Sequence, residues 1–136
     1  MVNPAADLLK KIDSLVRKDR RYKPEAFLFV LAALHYTVSS FPETRHVTGQ
    51  ELLGGIRLYA LDQFGPLTTQ VFEYWGVTCT EDFGHIVFLL VTVKLLGKTA
   101  EDSIEDFREI YDFAEAFNPE PLYKLPEDWD PPVLQK

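Results

Sequence analysis

Residues 24–38 have the sequence PEAFLFVLAALHYTV, which contains the longest uninterrupted apolar run of the chain. Its nine central residues, 26–34, are all apolar, so we expect the segment to be buried on most sides. Pro24 suits the first position of a helix, and Glu25 suits the positive end of the helix dipole. A buried strand is the rival interpretation, but the length and the two adjacent alanines favour a helix. The stretch therefore predicts a central, buried helix.

Five more segments carry a helical pattern on either side of this one. Apolar residues recur every three or four positions in residues 4–18, 49–64, 66–75 and 99–117, and residues 80–96 are nearly all apolar from Phe83 onward. Thr48 and Glu51 have the spacing of a capping box, and Gly65-Pro66 is a strong helix stop. Gly54-Gly55 inside the third helix indicates close approach of another helix or a ligand. Six helices with short connections predict a compact all-α bundle.

An α+β fold with a small sheet is the alternative. The β-branched residues Val87, Val91, Thr92 and Val93 leave a strand open near residues 88–93, and residues 111–113 could supply another.

The chain divides into a single helical domain, residues 1–118, and a tail, residues 119–136. The tail holds five of the nine prolines and several large apolar residues. A free linker would not carry so many apolar side chains, so we expect an extended tail that packs on the domain or on a partner.

Charge is distributed unevenly. The net charge is −7, which argues against general binding of nucleic acid. Residues 1–23 nevertheless carry +4, and residues 99–136 carry −8. The two ends can form separate solvated surfaces, pack on each other, or bind a partner or a second copy. Binding to RNA or the ribosome is expected only through the basic group at Arg17, Lys18, Arg20, Arg21 and Lys23.

Cysteine content and hydropathy bear on location. The single cysteine, Cys79, allows no internal disulfide, which fits a reducing compartment. No apolar run reaches the length of a membrane span, and residues 1–7 lack the order of a signal peptide. We therefore predict a cytoplasmic protein that does not act at a membrane.

The sequence contains no coherent catalytic set. There is no Cys-x-x-Cys and no His-x-x-x-His, and we predict no cofactor, metal or catalytic residues. The polar patch that we expect to bind a partner comprises His46, Thr48, Gln50, Glu51, Asp82 and His85. The alternative is a metal-binding protein or small hydrolase-like enzyme that uses His46, Cys79, Asp82 and His85. The leading hypothesis is a non-enzymatic protein-interaction or adaptor module, with a protein partner or self-association.

Several stretches together resemble a known family. They are residues 22–30, 46–53, 63–66, 75–77, 80–88 and 111–113. In combination they are similar to a small uncharacterised repeat family that is largely restricted to planctomycete and verrucomicrobial bacteria. The resemblance covers roughly residues 8–117 and implies a bacterial origin. The family has no assigned activity, so the resemblance implies no mechanism.

Overall fold

The computed structural model describes residues 4–43, 45–97, 104–117, 127–128 and 130. Every regular element among them is helical. The helices are Pro4–Lys18 (α1), Pro24–Ser39 (α2), Gly49–Phe64 (α3), Thr68–Trp75 (α4), Thr80–Thr92 (α5) and Phe113–Ala116 (α6), with 3₁₀ turns at Gly65–Leu67 and Ile104–Phe107. The all-α prediction is confirmed. The alternative strands are wrong within the described chain, because α5 remains helical to Thr92 and α6 begins at Phe113.

Helix α2 lies at the centre of the bundle, as its sequence predicts. The ring of Phe29 lies 5.3 to 6.4 Å, centroid to centroid, from five rings of three other helices: Tyr59, Phe64, Phe72, Trp75 and Phe83. Aromatic pairs at this separation each add about 0.5–1.5 kcal/mol beyond the burial of their apolar area. An aromatic cluster centred on Phe29 therefore joins α2 to α3, α4 and α5.

Close approach of α2 and α3 explains one of the two adjacent glycines. A Cβ atom at Gly55 would overlap the side-chain hydroxyl of Thr37, which itself donates a 2.7 Å hydrogen bond to the carbonyl of Ala33. A Cβ atom at Gly54 would meet nothing within 4 Å. The prediction of close approach is confirmed for Gly55 and not for Gly54.

Phe107 fills the junction between the starts of α3 and α5. A Cβ atom at Gly49 would lie 3.0 Å from its ring, and one at Gly84 would lie 2.8 Å from its Cβ. Phe107 is only 4% exposed. Two glycines on different helices thus make room for one buried aromatic side chain, which fixes how α3 and α5 lie relative to the 3₁₀ turn.

The prediction of one continuous helix to residue 117 is wrong. After the 3₁₀ turn that contains Phe107, Glu109 adopts a left-handed conformation with φ +49°, which interrupts the helix. A new helix starts at Phe113, where the Asp112 carboxylate accepts a 2.7 Å hydrogen bond from the amide of Ala114. This break lets Tyr111 donate a 2.9 Å hydrogen bond to the carbonyl of Leu53 in α3.

Two other predicted boundaries can be compared with the structure only in part. Helix α5 ends at Thr92 rather than near residue 96, and Lys94 follows with φ +64°. The predicted start of the last helix, at residues 99–102, lies outside the described residues, as does nearly all of the tail. Among the helices that are described, none is both long and apolar enough to cross a bilayer.

Candidate functional site

The start of α3 carries the predicted capping box. The Thr48 hydroxyl accepts a 3.1 Å hydrogen bond from the amide of Glu51, and the Glu51 carboxylate accepts one of 3.1 Å from the amide of Thr48. Arg45 donates to both carboxylate oxygens of Glu51, at 3.0 and 2.5 Å. The Arg45 hydrogen bonds and then the Thr48 amide lower the pKa of Glu51 to about 2. Thr48 and Glu51 are therefore engaged in helix capping.

An apolar groove of about 380 Å³ opens beside this capping box. Its walls come from α2, α3, α5, the segment before α3, the segment after α5 and the 3₁₀ turn that contains Phe107. The apolar side chains that line it are Leu34, Val38, Val47, Leu52, Val87, Phe88, Val91, Leu96 and Phe107. Arg45, His46 and Thr48 also line it, and all three are exposed. The groove thus combines an apolar surface with polar and charged residues from one segment.

Asp82 belongs to a second cluster, at the start of α5. Its Oδ1 accepts a 2.6 Å hydrogen bond from the Tyr22 hydroxyl, and its Oδ2 accepts one of 2.9 Å from the amide of Thr78. His85 Nδ1 lies 3.5 Å from the same Tyr22 hydroxyl. Burial alone would raise the pKa of Asp82, but the hydrogen bonds from Tyr22 and Thr78 outweigh burial and lower it. The Asp82 carboxylate is therefore held in its charged form.

The six predicted patch residues are distributed over these two clusters. His46 and Thr48 line the groove, Glu51 pairs with Arg45, and Gln50 is exposed in the first turn of α3. Asp82 and His85 instead join Tyr22. The structure therefore brings His46, Thr48, Gln50 and Glu51 together at the start of α3. It places Asp82 and His85 in a separate cluster with Tyr22.

Cys79 lies at the edge of a different cleft of about 420 Å³. Its thiol is 3.5 Å from Asp82 Oδ2, and burial together with the nearby Asp82 charge raises its pKa. Activated cysteines have a lowered pKa, so this environment is opposite to that of a nucleophile. Cys79 is the residue immediately before α5, and Thr80 Oγ1 in the first turn accepts a 3.2 Å hydrogen bond from the amide of Ile110.

Groups of three or more His, Cys, Asp or Glu side chains able to hold a metal ion do not occur among the described residues. Cys79, Asp82 and His85 were candidate ligands because of their three-residue spacing. Helix α5 starts at Thr80, so Cys79 lies before the helix, whereas Asp82 and His85 lie within it. Asp82 Oδ2 also accepts hydrogen bonds from the amides of Thr78 and Cys79.

The basic group near the end of α1 pairs in part with its own neighbours. Arg17 forms an ion pair with Asp13, and Arg21 forms one with Asp19 at 2.8 Å. Lys23 lies over the ring of Tyr74, 5.5 Å from its centroid. These local contacts reduce the field that an RNA backbone would meet.

Sequence reasoning missed Tyr22, Arg45 and the groove. The signal for the groove was present: α2 and residues 86–91 of α5 are apolar on almost all sides, which is more apolar surface than one core contact covers. Tyr22 and Arg45 had no such signal, because their partners are set by the fold.

Comparison of the chain with protein-family models, with curated proteins and with solved structures gave no match. The resemblance to the planctomycete and verrucomicrobial repeat family therefore stays a prediction.

Proposed function

We propose that this protein is a non-enzymatic interaction module whose groove binds an apolar segment of a partner protein. The observation that carries the proposal is the groove between α2, α3 and α5, with Val87 and Val91 along one wall and Leu34 and Val38 along another. Pairs four residues apart present a continuous strip on each helix. A partner segment with two or three large apolar side chains matches such strips.

The size of the groove supports the same conclusion. Binding clefts typically enclose about 300–1,000 Å³ and are lined mainly by apolar side chains, with a few polar groups that set orientation. This groove has a volume of about 380 Å³, and Arg45, His46 and Thr48 supply its polar groups. Because Arg45 also pairs with Glu51, it is held in place to contact a partner's backbone carbonyl or carboxylate.

The chemistry of the second cluster favours binding over catalysis. A catalytic carboxylate needs an oxygen that is available to take a proton, but Tyr22 donates to one oxygen of Asp82 and Thr78 donates to the other. A catalytic cysteine needs a lowered pKa, whereas the pKa of Cys79 is raised. We accordingly assign Asp82 and Cys79 a structural role, in which they help to connect the start of α5 to the loop after α1.

We also propose a cytoplasmic location and a bacterial origin. A free cysteine at position 79 suits a reducing compartment. The bacterial origin depends on the family resemblance alone.

Selection from a displayed library of random 12-residue peptides tests the binding proposal. We expect enriched peptides to share apolar anchors three or four positions apart. Val91→Glu places a charge in the groove and should weaken their binding at least tenfold. Leu58→Glu is the matched control, because Leu58 is a helical residue that is 53% exposed and lies outside the groove lining.

Equal binding of the selected peptides to the wild type and to a folded Val91→Glu variant would contradict the proposal. Circular dichroism and thermal melting establish that both variants retain the helical fold.

A further inference from the structure

The composition of the tail, residues 119–136, favours packing on another surface. Residues 119–136 include five prolines, a residue type that is disfavoured inside helices and in paired strands. They also include six large apolar residues: Leu122, Tyr123, Leu125, Trp129, Val133 and Leu134. A short segment with this composition cannot bury those side chains within itself.

The point at which the tail leaves the domain is well anchored. Phe117, just before it, is fully buried and its ring lies 5.2 Å from that of Phe72 and 5.7 Å from that of Tyr111. Tyr111 is in turn hydrogen-bonded to the carbonyl of Leu53 in α3. Leu52, the residue before Leu53 in α3, lines the groove. The tail therefore starts next to a segment that is hydrogen-bonded to α3, the helix that supplies Leu52 to the groove.

Trp129 is within reach of the groove. It lies twelve positions after Phe117, and an extended proline-rich chain spans about 3.1 Å per residue, or about 37 Å in all. A compact domain of this length has a radius of gyration of only about 14 Å. The three described tail residues, Glu127, Asp128 and Asp130, are charged and exposed. Trp129 lies between them in sequence and is the largest apolar residue of the tail.

We infer that the tail of the same chain occupies the groove through Trp129, so that a partner must displace it. The occupant is a segment of this molecule, because its apolar side chains match the apolar lining and its effective concentration at the groove is far higher than that of any separate partner. The inference builds on the proposed function, since it adds regulation to the same groove. Its test, however, needs no partner.

Acrylamide quenching of tryptophan fluorescence in the full chain tests the inference. The chain has two tryptophans, and Trp75 is 8% exposed in the core. Subtracting the signal of a Trp129→Phe variant from that of the wild type isolates Trp129. We expect its quenching constant to be at least threefold below that of a peptide spanning residues 119–136. In a Val91→Glu background it should approach that of the peptide, whereas Leu58→Glu should leave the protection intact.

Trp129 that is quenched in the wild type as strongly as in the peptide would overturn the inference. So would protection that Val91→Glu leaves unchanged, since the tail would then pack elsewhere. Protection that appears only as protein concentration rises would show that a second copy supplies the tail, which also overturns an intramolecular contact. If Trp129 is accessible and selected peptides still bind the groove, the inference about the tail is contradicted and the proposed function is supported. A protected Trp129, together with a Trp129→Ala chain that still selects no peptides although its groove is freed, would instead contradict the proposed function.

Discussion

The hydroxyl of Tyr22 donates a 2.6 Å hydrogen bond to Asp82, 60 residues further along the chain. The contact joins the loop after α1 to the start of α5. Two neighbouring contacts support it: the amide of Lys23 donates a 3.0 Å hydrogen bond to the carbonyl of Trp75, and Gly76, with φ +89°, lies against the carbonyl of Arg21. Together they fix two connections of the bundle to each other.

Replacing Tyr22 with phenylalanine should lower the free energy of unfolding by about 1–3 kcal/mol. Tyr22 is 1% exposed, and removing its hydroxyl leaves a half-buried Asp82 oxygen without its donor. Urea unfolding at neutral pH measures the change. Tyr74→Phe is the control, because Tyr74 is 70% exposed and loss of its hydroxyl should change the free energy of unfolding by less than about 0.5 kcal/mol. Equal stability of the two variants would show that the bond to Asp82 contributes nothing.

The stability that Asp82 provides should depend on pH. Its pKa in the folded protein is below the ordinary value of about 3.9, because the hydrogen bonds from Tyr22 and Thr78 outweigh burial. The folded state therefore favours the charged form, and the contribution is complete above about pH 5 and is lost as pH falls through the lowered pKa. Asp82→Asn should be less stable than the wild type at pH 7, and the difference should shrink towards pH 2.

Urea unfolding from pH 7 to pH 2 follows that difference. The exposed residue Asp62 is the comparison, and Asp62→Asn should differ little from the wild type at every pH. A constant gap between the wild type and Asp82→Asn across the whole range would contradict a lowered pKa of Asp82.

Features that depend on neighbouring residues were predictable, and features that depend on distant ones were not. The all-apolar run of α2 and the spacing of Thr48 and Glu51 indicate a buried helix and a capping box, and both are present. The pairing of Tyr22 with Asp82 has no local signal. The predicted last helix failed because helical spacing puts Phe107 on one continuous stripe with its neighbours, whereas Phe107 enters the space between Gly49 and Gly84 from a 3₁₀ turn.

The two adjacent glycines of α3 should respond to alanine in opposite directions. Gly55→Ala places a methyl group against Thr37, and overpacking of this kind costs about 1–3 kcal/mol. Gly54→Ala meets open space, so the better helix propensity of alanine should stabilise the protein by about 0.5–1 kcal/mol. Thermal melting of both variants measures the effects, and Thr37→Ala in the Gly55→Ala background should recover part of the loss. Two variants of similar stability would show that α2 and α3 do not approach as closely as the structure indicates.

Alkylation of Cys79 should be slow at neutral pH, and Asp82 should be one cause. Burial and the neighbouring carboxylate both raise the pKa of the thiol, and only the thiolate reacts. The rate with iodoacetamide should therefore reach its midpoint above the ordinary cysteine value of about pH 8.5. Asp82→Asn removes the negative charge, so its midpoint should move to lower pH, whereas Asp62→Asn should leave it in place. A wild-type midpoint below pH 7 would mean that the thiol is activated. That result would favour an enzyme over the interaction module that we propose.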